Sequence, residues 1–500
     1  MENLMKQTQI ITTVAIVIFA FVMLAIGLSG RRHAKNIEGF LLGGRKIGPW
    51  VSAFSYGTAY FSAVIFVGYA GKHGWNIGVG SIWIGVGNAV LGCLLAWLLL
   101  AKPTRNLTRK LGAKTMPEFF EKRYNSTGLK VLSAIIIFVF LVPYSAAVYT
   151  GLGNMFHAIF PNVSTTVWMC LIACLTAAYL VLGGYMAAAY TDFVQGIIMI
   201  FGVVAMIVAI ALNPNVGGFA DGFRRLSALT DETGEVGKQL TSVFGGSSFN
   251  FLAVNILLTS FGTWGLPQMV SKYYAIKDDK AIKTATVVST VFAGIIGCGA
   301  YYVGSMSRLV LSNKLPEGGL DFVIPDTLMT ALATNRVTIV ILAIVLLLLL
   351  SASMSTLSSI VLSSASAISV DVASMIKKNY KTEQQMIFTR LMCFLFVGLS
   401  LFFALMKIGV IVNLMSFSWG VVAGSFIGTY MWGVLWDKTT KAAAYSGMIG
   451  GLLTVGIPCV VYTASGGFAN AVAHAPELGV AAMAVSVVIV PVVTLFTKKR

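Results

Sequence analysis

The sequence predicts an all-α polytopic membrane protein with about 13 transmembrane helices, and three observations carry that expectation. First, 57% of the 500 residues are hydrophobic, 11% are charged and the mean hydropathy is +0.84, whereas soluble domains carry about 25% charge. Second, apolar stretches of the length that crosses a bilayer, about 20 residues for about 30 Å of hydrocarbon, recur along the chain. They fall at 9-29, 50-71, 78-101, 129-155, 165-183, 187-212, 249-275, 284-311, 337-370, 386-407, 409-433, 441-463 and 477-497. Third, the second and seventh of these carry helix-breaking residues at corresponding places, five spans apart.

Charge placement orients the spans. With the N-terminus outside and the C-terminus inside, 26 of the 35 Lys and Arg residues fall in inner loops or at the adjoining helix ends. They include Arg31, Arg32, Lys35, Arg45 and Lys46, then Lys102, Arg105, Arg109 and Lys114, then Lys272 and Lys277, then Lys377, Lys378 and Lys381, and finally Lys498, Lys499 and Arg500. Such asymmetry is the positive-inside pattern, so the net charge of +17 is topological and points away from nucleic-acid binding.

In chain order, 1-49 holds one extra helix and an inner loop. The leading MENLMK is charge-balanced and the basic cluster follows the apolar run, so this span reads as retained and not as a cleaved signal. Residues 50-212 form a first repeat (spans two to six), 213-248 an outer loop, 249-433 a second repeat (spans seven to eleven), and 434-500 two more helices. All six cysteines lie in or beside apolar spans and the four histidines have no ligand-like spacing, so neither a disulfide framework nor a metal cluster is indicated. A Walker sequence is also missing, which leaves direct ATP drive unsupported.

The polar residues inside spans carry the functional signal. Span two begins with Ser52, Ser55, Tyr56, Gly57, Thr58, Tyr60 and Ser62, which weaken a helix and offer partners to freed backbone groups. Span seven repeats the pattern with Ser260, Gly262, Thr263, Gly265 and Pro267, and the proline removes a ladder bond outright. Interrupted segments at matching positions of two halves point to a transporter built from inverted repeats, with its sites at the breaks, although two kinked packing helices would look the same. In span six Asp192 is the one acidic residue clearly inside a span; it either caps the helix start or serves an ion path. Asp371 reads as interfacial.

Span nine holds nine serines and Thr356 within residues 351-369. Ala352, Ser355 and Thr356 stand at i, i+3 and i+4, roughly 22 Å from Arg336 at 1.5 Å per residue. One helix face thereby presents two hydroxyls and a carbonyl. With carbonyls from the break in span two they would make a five-oxygen site without a carboxylate, suited to Na+; the alternative is hydroxyl packing between helices.

These segments resemble the sodium/solute symporter family, in particular its proline and pantothenate branches. The match runs through Phe40-Leu41-Leu42-Gly43-Gly44-Arg45, Leu182-Gly183-Gly184-Tyr185, Thr191-Asp192-Phe193-Val194-Gln195, Gly265-Leu266-Pro267-Gln268 and Ser353-Met354-Ser355-Thr356-Leu357-Ser358. The resemblance implies a LeuT-type core of two inverted five-helix repeats, here spans two to eleven. It also implies a sodium site made by the main-chain carbonyls of Thr58, Phe61 and Ala352 with the hydroxyls of Ser355 and Thr356. Asp192 matches a family aspartate linked to ion access, and Tyr144 a tyrosine lining the solute pocket. The chain departs from the proline branch at Tyr60, where that branch has aspartate, and at Val64, Thr259 and Thr263, where it has aromatic residues.

The expected function is Na+-coupled symport of a small polar organic solute across the cell membrane, by alternating access and without enzymatic activity. The expected solute contacts are Ser55, Tyr60, Tyr144, Thr259, Thr263, Trp264 and Gln268, with no buried Arg or Lys among them. A carboxylate, an amino acid or a pantothenate-like solute ranks above a sugar. Beyond the solute, sodium and membrane lipid, no protein partner is indicated. The alternatives are H+ coupling through Asp192, a passive channel, and a sensor retaining a symporter-like module; the sequence ends directly after the last span, which leaves no room in it for a kinase domain.

Overall fold

The computed structural model describes residues 2–30, 37–230, 236–376 and 382–497. Arg31, Arg32, Lys35, Lys377, Lys378, Lys381, Lys498, Lys499 and Arg500, all counted above, lie outside them. Among the described residues the secondary structure is helical, apart from a single parallel bridge between Ile47 and Ile276.

Ten helices are long and apolar enough to cross a membrane, or eleven when the bent pair Gly246–Gly265 and Pro267–Ala275 counts as one span. The number is below the expected 13 for a local reason. Span two breaks in its middle, so neither half has full length, and the remainder runs helically into span three as Val64–Leu111, with a turn at Gly78 (φ 72°, ψ −139°). Similarly, the expected spans five and six share one continuous stretch, Thr165–Ala211, divided at Gly184.

The elements that build the site are α1 (Glu2–Gly30), α2 (Pro49–Tyr60), α3 (Thr127–Ile159), α4 (Thr165–Ala211), α5 (Phe249–Gly265), α6 (Pro267–Ala275), α7 (Asp279–Val310), α8 (Arg336–Ser366), α9 (Thr382–Leu405) and α10 (Ile411–Leu435). Two further helices, Lys441–Ala473 and Ala475–Phe496, follow and pack on α10. The most apolar window of α10 is 100% buried and that of α1 only 22%, so α10 is central and α1 is peripheral, lying against α4 and α8.

Each interruption has a residue-level cause. Helix α2 starts at Pro49, whose fixed φ suits the first turn, and stops where Phe61 turns extended (φ −101°, ψ 116°). There the Ala63 N–H donates to Ser353 Oγ at 3.0 Å and the Val64 N–H to Ser62 Oγ at 3.2 Å, so hydroxyls replace the lost ladder. Between α5 and α6, Leu266 is extended (φ −78°, ψ 125°), Pro267 cannot continue the ladder, and the chain bends by 47°. At Gly184 (φ 59°, ψ −157°) a Cβ would stand 2.6 Å from Phe40 Cδ2, so the corner of α4 requires glycine for both conformation and space.

Candidate functional site

The break in α2 lies against the serine-rich stretch of α8. Ser355 Oγ donates to Thr58 Oγ1 at 2.7 Å, and Thr58 Oγ1 itself donates to Phe54 O at 2.8 Å. Thr356 Oγ1 lies 3.0 Å from Ala352 O, 3.2 Å from Ala59 O and 3.3 Å from Thr58 O. A hydroxyl has one proton to give, so three carbonyls facing one hydroxyl leave acceptor lone pairs in surplus. All of these residues are buried, and an acceptor surplus away from water is the donor set that a hard monovalent cation fits. Thr58, Ala352, Ser355 and Thr356 from the expected set are therefore together. Ala59, not in that set, brings its carbonyl close, and Phe61 is the extended residue at which α2 ends.

One turn further along both helices is a charged cluster. Asp192 is fully buried eight residues beyond the corner at Gly184, so it does not cap a helix start. Its Oδ2 accepts from Ser55 Oγ at 2.5 Å. Lys272, on α6, places Nζ 2.8 Å from Ser55 Oγ, 3.0 Å from Ser359 Oγ, 3.7 Å from Asp192 Oδ2 and 5.1 Å from the centre of the Tyr185 ring. This corrects two expectations: Lys272 is not a loop-side cation, and a buried lysine does stand beside Ser55. The 47° bend at Pro267 carries the residue inward. The available signal was its place among Val270, Tyr273 and Tyr274, five residues before the first loop lysine, Lys277. Asp371, expected at the interface, is instead buried and accepts from Thr115 Oγ1 at 2.7 Å.

The expected solute contacts fall into two groups and two residues placed apart from them. Tyr60 and Tyr144 flank Trp419 of α10, with ring centres 6.2 Å and 5.8 Å from it. The Tyr60 hydroxyl donates to Thr259 O at 2.7 Å, while Tyr144 Oη and Trp419 Nε1 are buried with no hydrogen-bond partner among the described residues. Trp419, which sequence reasoning missed, fits against α5 because Gly262 is there: a Cβ at that position would lie 2.5 Å from Trp419 Cε3. A second group turns to span three, where Thr263 donates to Gly92 O at 3.0 Å, Trp264 Nε1 to Leu91 O at 3.0 Å, and the Thr259 hydroxyl meets Asn88 Oδ1 at 2.8 Å. Gln268 is buried at the start of α6, with its Oε1 unpartnered. Ser55 belongs to the Asp192–Lys272 cluster.

The two ends of the molecule differ. At the end carrying Arg45, Arg105, Arg109 and Lys114, a cavity lined by Leu42, Lys114, Thr115, Tyr185, Lys272 and Ser359 leads to the charged cluster. It measures about 40 Å³, room for a few waters or a bare ion. Beside it, Arg105 pairs with Asp279 at 3.1 Å and donates to Lys277 O at 2.6 Å, Arg109 donates to Ile276 O at 3.1 Å, and Ile47 bridges Ile276. At the opposite end, Tyr69 Oη meets Ser416 Oγ at 2.7 Å, Lys72 Nζ donates to Asn413 Oδ1 at 3.2 Å, and the Ile411 N–H donates to Asp321 Oδ2 at 3.2 Å. The first two contacts latch the continuation of α2 to α10, and the third ties the Leu320–Phe322 turn to the start of α10. Burial pushes the Asp321 carboxyl up to about 6, against the Ile411 N–H and the nearby Lys72 charge, which pull it down.

Comparison with known proteins agrees with this architecture. The chain is 28% identical over 453 residues to the osmoregulated proline transporter OpuE of Bacillus subtilis, covering 88% of this chain and 86% of the relative. It is 27% identical over 501 residues to a sodium/proline symporter of Staphylococcus aureus, covering 98% and 93%. In structure it superposes on a Na+-coupled sialic acid symporter in a substrate-bound, outward-open state with a TM-score of 0.76, at 18% identity and 98% coverage of each chain. MhsT in complex with L-phenylalanine gives a TM-score of 0.53 at 12% identity, covering 90% of this chain and 98% of that one. The fold these share is the LeuT type. The model of the sodium:solute symporter family matches residues 40–451. The chain is therefore a transporter, not an enzyme, and it belongs to the sodium:solute symporter family.

Proposed function

We propose that this protein imports a small polar organic solute with one Na+ bound between α2 and α8, as a 13-span protein of the cell membrane with N-terminus out and C-terminus in. The observation that supports the reading is the acceptor surplus at Thr58, Ala59, Ala352 and Thr356, with Ser355 beside it, a set that fits a cation and contains no carboxylate. Phe61 supplies the further carbonyl at the break. The basic end, with Arg45, Arg105, Arg109 and Lys114, is the cytoplasmic end. Sodium would tie α2 to α8 and fix the break, which orders the aromatic chamber of Tyr60, Tyr144 and Trp419 beside it. Each ligand thereby raises the affinity of the other.

The solute chamber is proposed to lie among Tyr60, Tyr144 and Trp419, whose unpartnered hydroxyl and indole N–H offer donors to carboxylate or carbonyl oxygens. Thr259 and Gln268 complete its edge, while Thr263 and Trp264 hold span three in place. An amino-acid-like or pantothenate-like carboxylate suits that donor set better than a sugar. Asp192 and Ser55 stand on the sodium exit path, one contact behind Lys272, which with Ser359 lines the cavity at the basic end. The ion pair with Lys272 disfavours Asp192 as a mobile proton carrier.

Each Na+ moving inward down a 100 mV potential supplies about 2.3 kcal/mol before its concentration gradient is counted. The test is uptake into proteoliposomes under an imposed inward Na+ gradient, screening L-proline, other neutral amino acids, pantothenate and short monocarboxylates. Uphill accumulation that collapses with monensin but survives a protonophore supports the reading. Uptake that only equilibrates, or that follows a proton gradient in choline medium, refutes it.

A further inference from the structure

The charged cluster beside the sodium site has the form of a cation cage that is already filled. We propose that Lys272 is a tethered counter-cation: its ammonium occupies a second monovalent-cation site, made by Asp192, Ser55 and Ser359, so that one chain binds one sodium ion instead of two. This inference rests on the sodium-coupled reading above and concerns how many ions that reading involves.

The geometry is that of a complete ammonium site. Two hydroxyls accept from Nζ at 2.8 and 3.0 Å, a carboxylate oxygen stands at 3.7 Å, and the face of Tyr185 lies 5.1 Å away. Ser55 links the two charges, since it accepts from Lys272 and donates to Asp192 Oδ2. Both Asp192 and Lys272 are excluded from solvent, with side-chain exposures of 0% and 2%. Neither charge is tolerable there alone, because a buried ion without its partner keeps its full desolvation cost.

The same two helices build both cages. Ser55 and Thr58 are three residues apart on α2, and Ser355 and Ser359 four apart on α8, so the lysine cage repeats the hydroxyl pairing of the sodium cage one turn away. Asp192 Oδ1 is buried without a partner among the described residues, leaving unused capacity for a cation. Tyr185, Lys272 and Ser359 also line the cavity that opens at the basic end, so a cation arriving from that side can reach the cage once the ammonium is gone.

Equilibrium binding of radiolabelled Na+ to the purified full-length chain, without solute, tests the proposal. The wild type and Lys272→Arg are expected to saturate at about one ion per chain, with no cooperativity. Lys272→Met is expected to bind about two, and adding Asp192→Asn to it is expected to restore one. Lys272→Gln repeats the measurement should the methionine variant not be monodisperse. Two ions on the wild type, or one ion on both folded neutral variants of Lys272, would overturn the inference. A wild type that binds no sodium would instead sink the sodium-coupled reading itself.

Discussion

At Ser355 and Thr356 the decisive quantity is the balance of donors and acceptors. Removing the Thr356 hydroxyl takes away a proposed sodium ligand and leaves the carbonyls of Ala352, Thr58 and Ala59 facing one another. Thr356→Ala and Ser355→Ala are each expected to weaken sodium binding at least tenfold, about 1.4 kcal/mol or more. The same change at Ser366, on the same helix and away from the site, should leave Na+ affinity unchanged in a binding isotherm. Asp321 makes a separate prediction. Its carboxyl is raised from an ordinary 3.8 to about 6 in the fold, so the folded chain holds more proton than the unfolded chain between those values. Its contribution to stability is present at low pH and is lost as pH rises through about 6. Asp321→Asn, which keeps an acceptor for the Ile411 N–H, should therefore gain stability relative to wild type between pH 5 and pH 7.5, by about 1–3 kcal/mol at most. Thermal melts across that range check the sign. The trio Ala352, Ser355 and Thr356 was legible in the sequence because i, i+3, i+4 spacing needs only a helix to become a face. Lys272 was not, since a lysine five residues from a loop reads as interfacial until the bend at Pro267 is known.

Among the elements, the two interrupted helices were legible to different degrees. Gly265 and Pro267 mark the junction of α5 and α6 directly, because proline deletes a ladder bond wherever it falls. The break in α2 carries no proline. Its place at Phe61, at the far end of the hydroxyl-rich stretch, depends on Ser353 of another helix reaching the Ala63 N–H, a tertiary contact that local sequence does not encode. The corner at Gly184 depends likewise on Phe40 lying against it. Gly184→Val is expected to destabilise the chain by about 1–3 kcal/mol, read as a lowered melting temperature, because a left-handed φ and a close ring both oppose the side chain. Gly262→Val tests a different element contact. Its side chain would displace Trp419 from α5 and from Tyr60, so solute uptake should fall more than sodium binding measured without solute, because the Thr58-Ser355 contact is not touched.

For the whole molecule, the arrangement is one of unequal ends. Contacts of Tyr69, Lys72 and Asp321 with α10 tie one side, while a small cavity lined by polar and apolar side chains reaches the charged cluster from the other. That cavity leads to Lys272 and Ser359, so the proposed sodium path would open at the basic end. The helical class came through from composition and spacing, and the LeuT-type fold from the family resemblance. By length alone the described residues give ten or eleven crossing helices against the expected 13, because the first half of span two is short and Thr165–Ala178 falls below crossing length. The central claim is that sodium binds between α2 and α8. Its most direct test is the sodium-induced rise in melting temperature of the purified chain, measured in NaCl against choline chloride at matched ionic strength. At a hundred times Kd the wild type should gain about 2.7 kcal/mol, and Ser355→Ala/Thr356→Ala should gain almost none while keeping the wild-type melting temperature in choline to within a few degrees. An undiminished sodium-induced rise in that double variant would contradict the account.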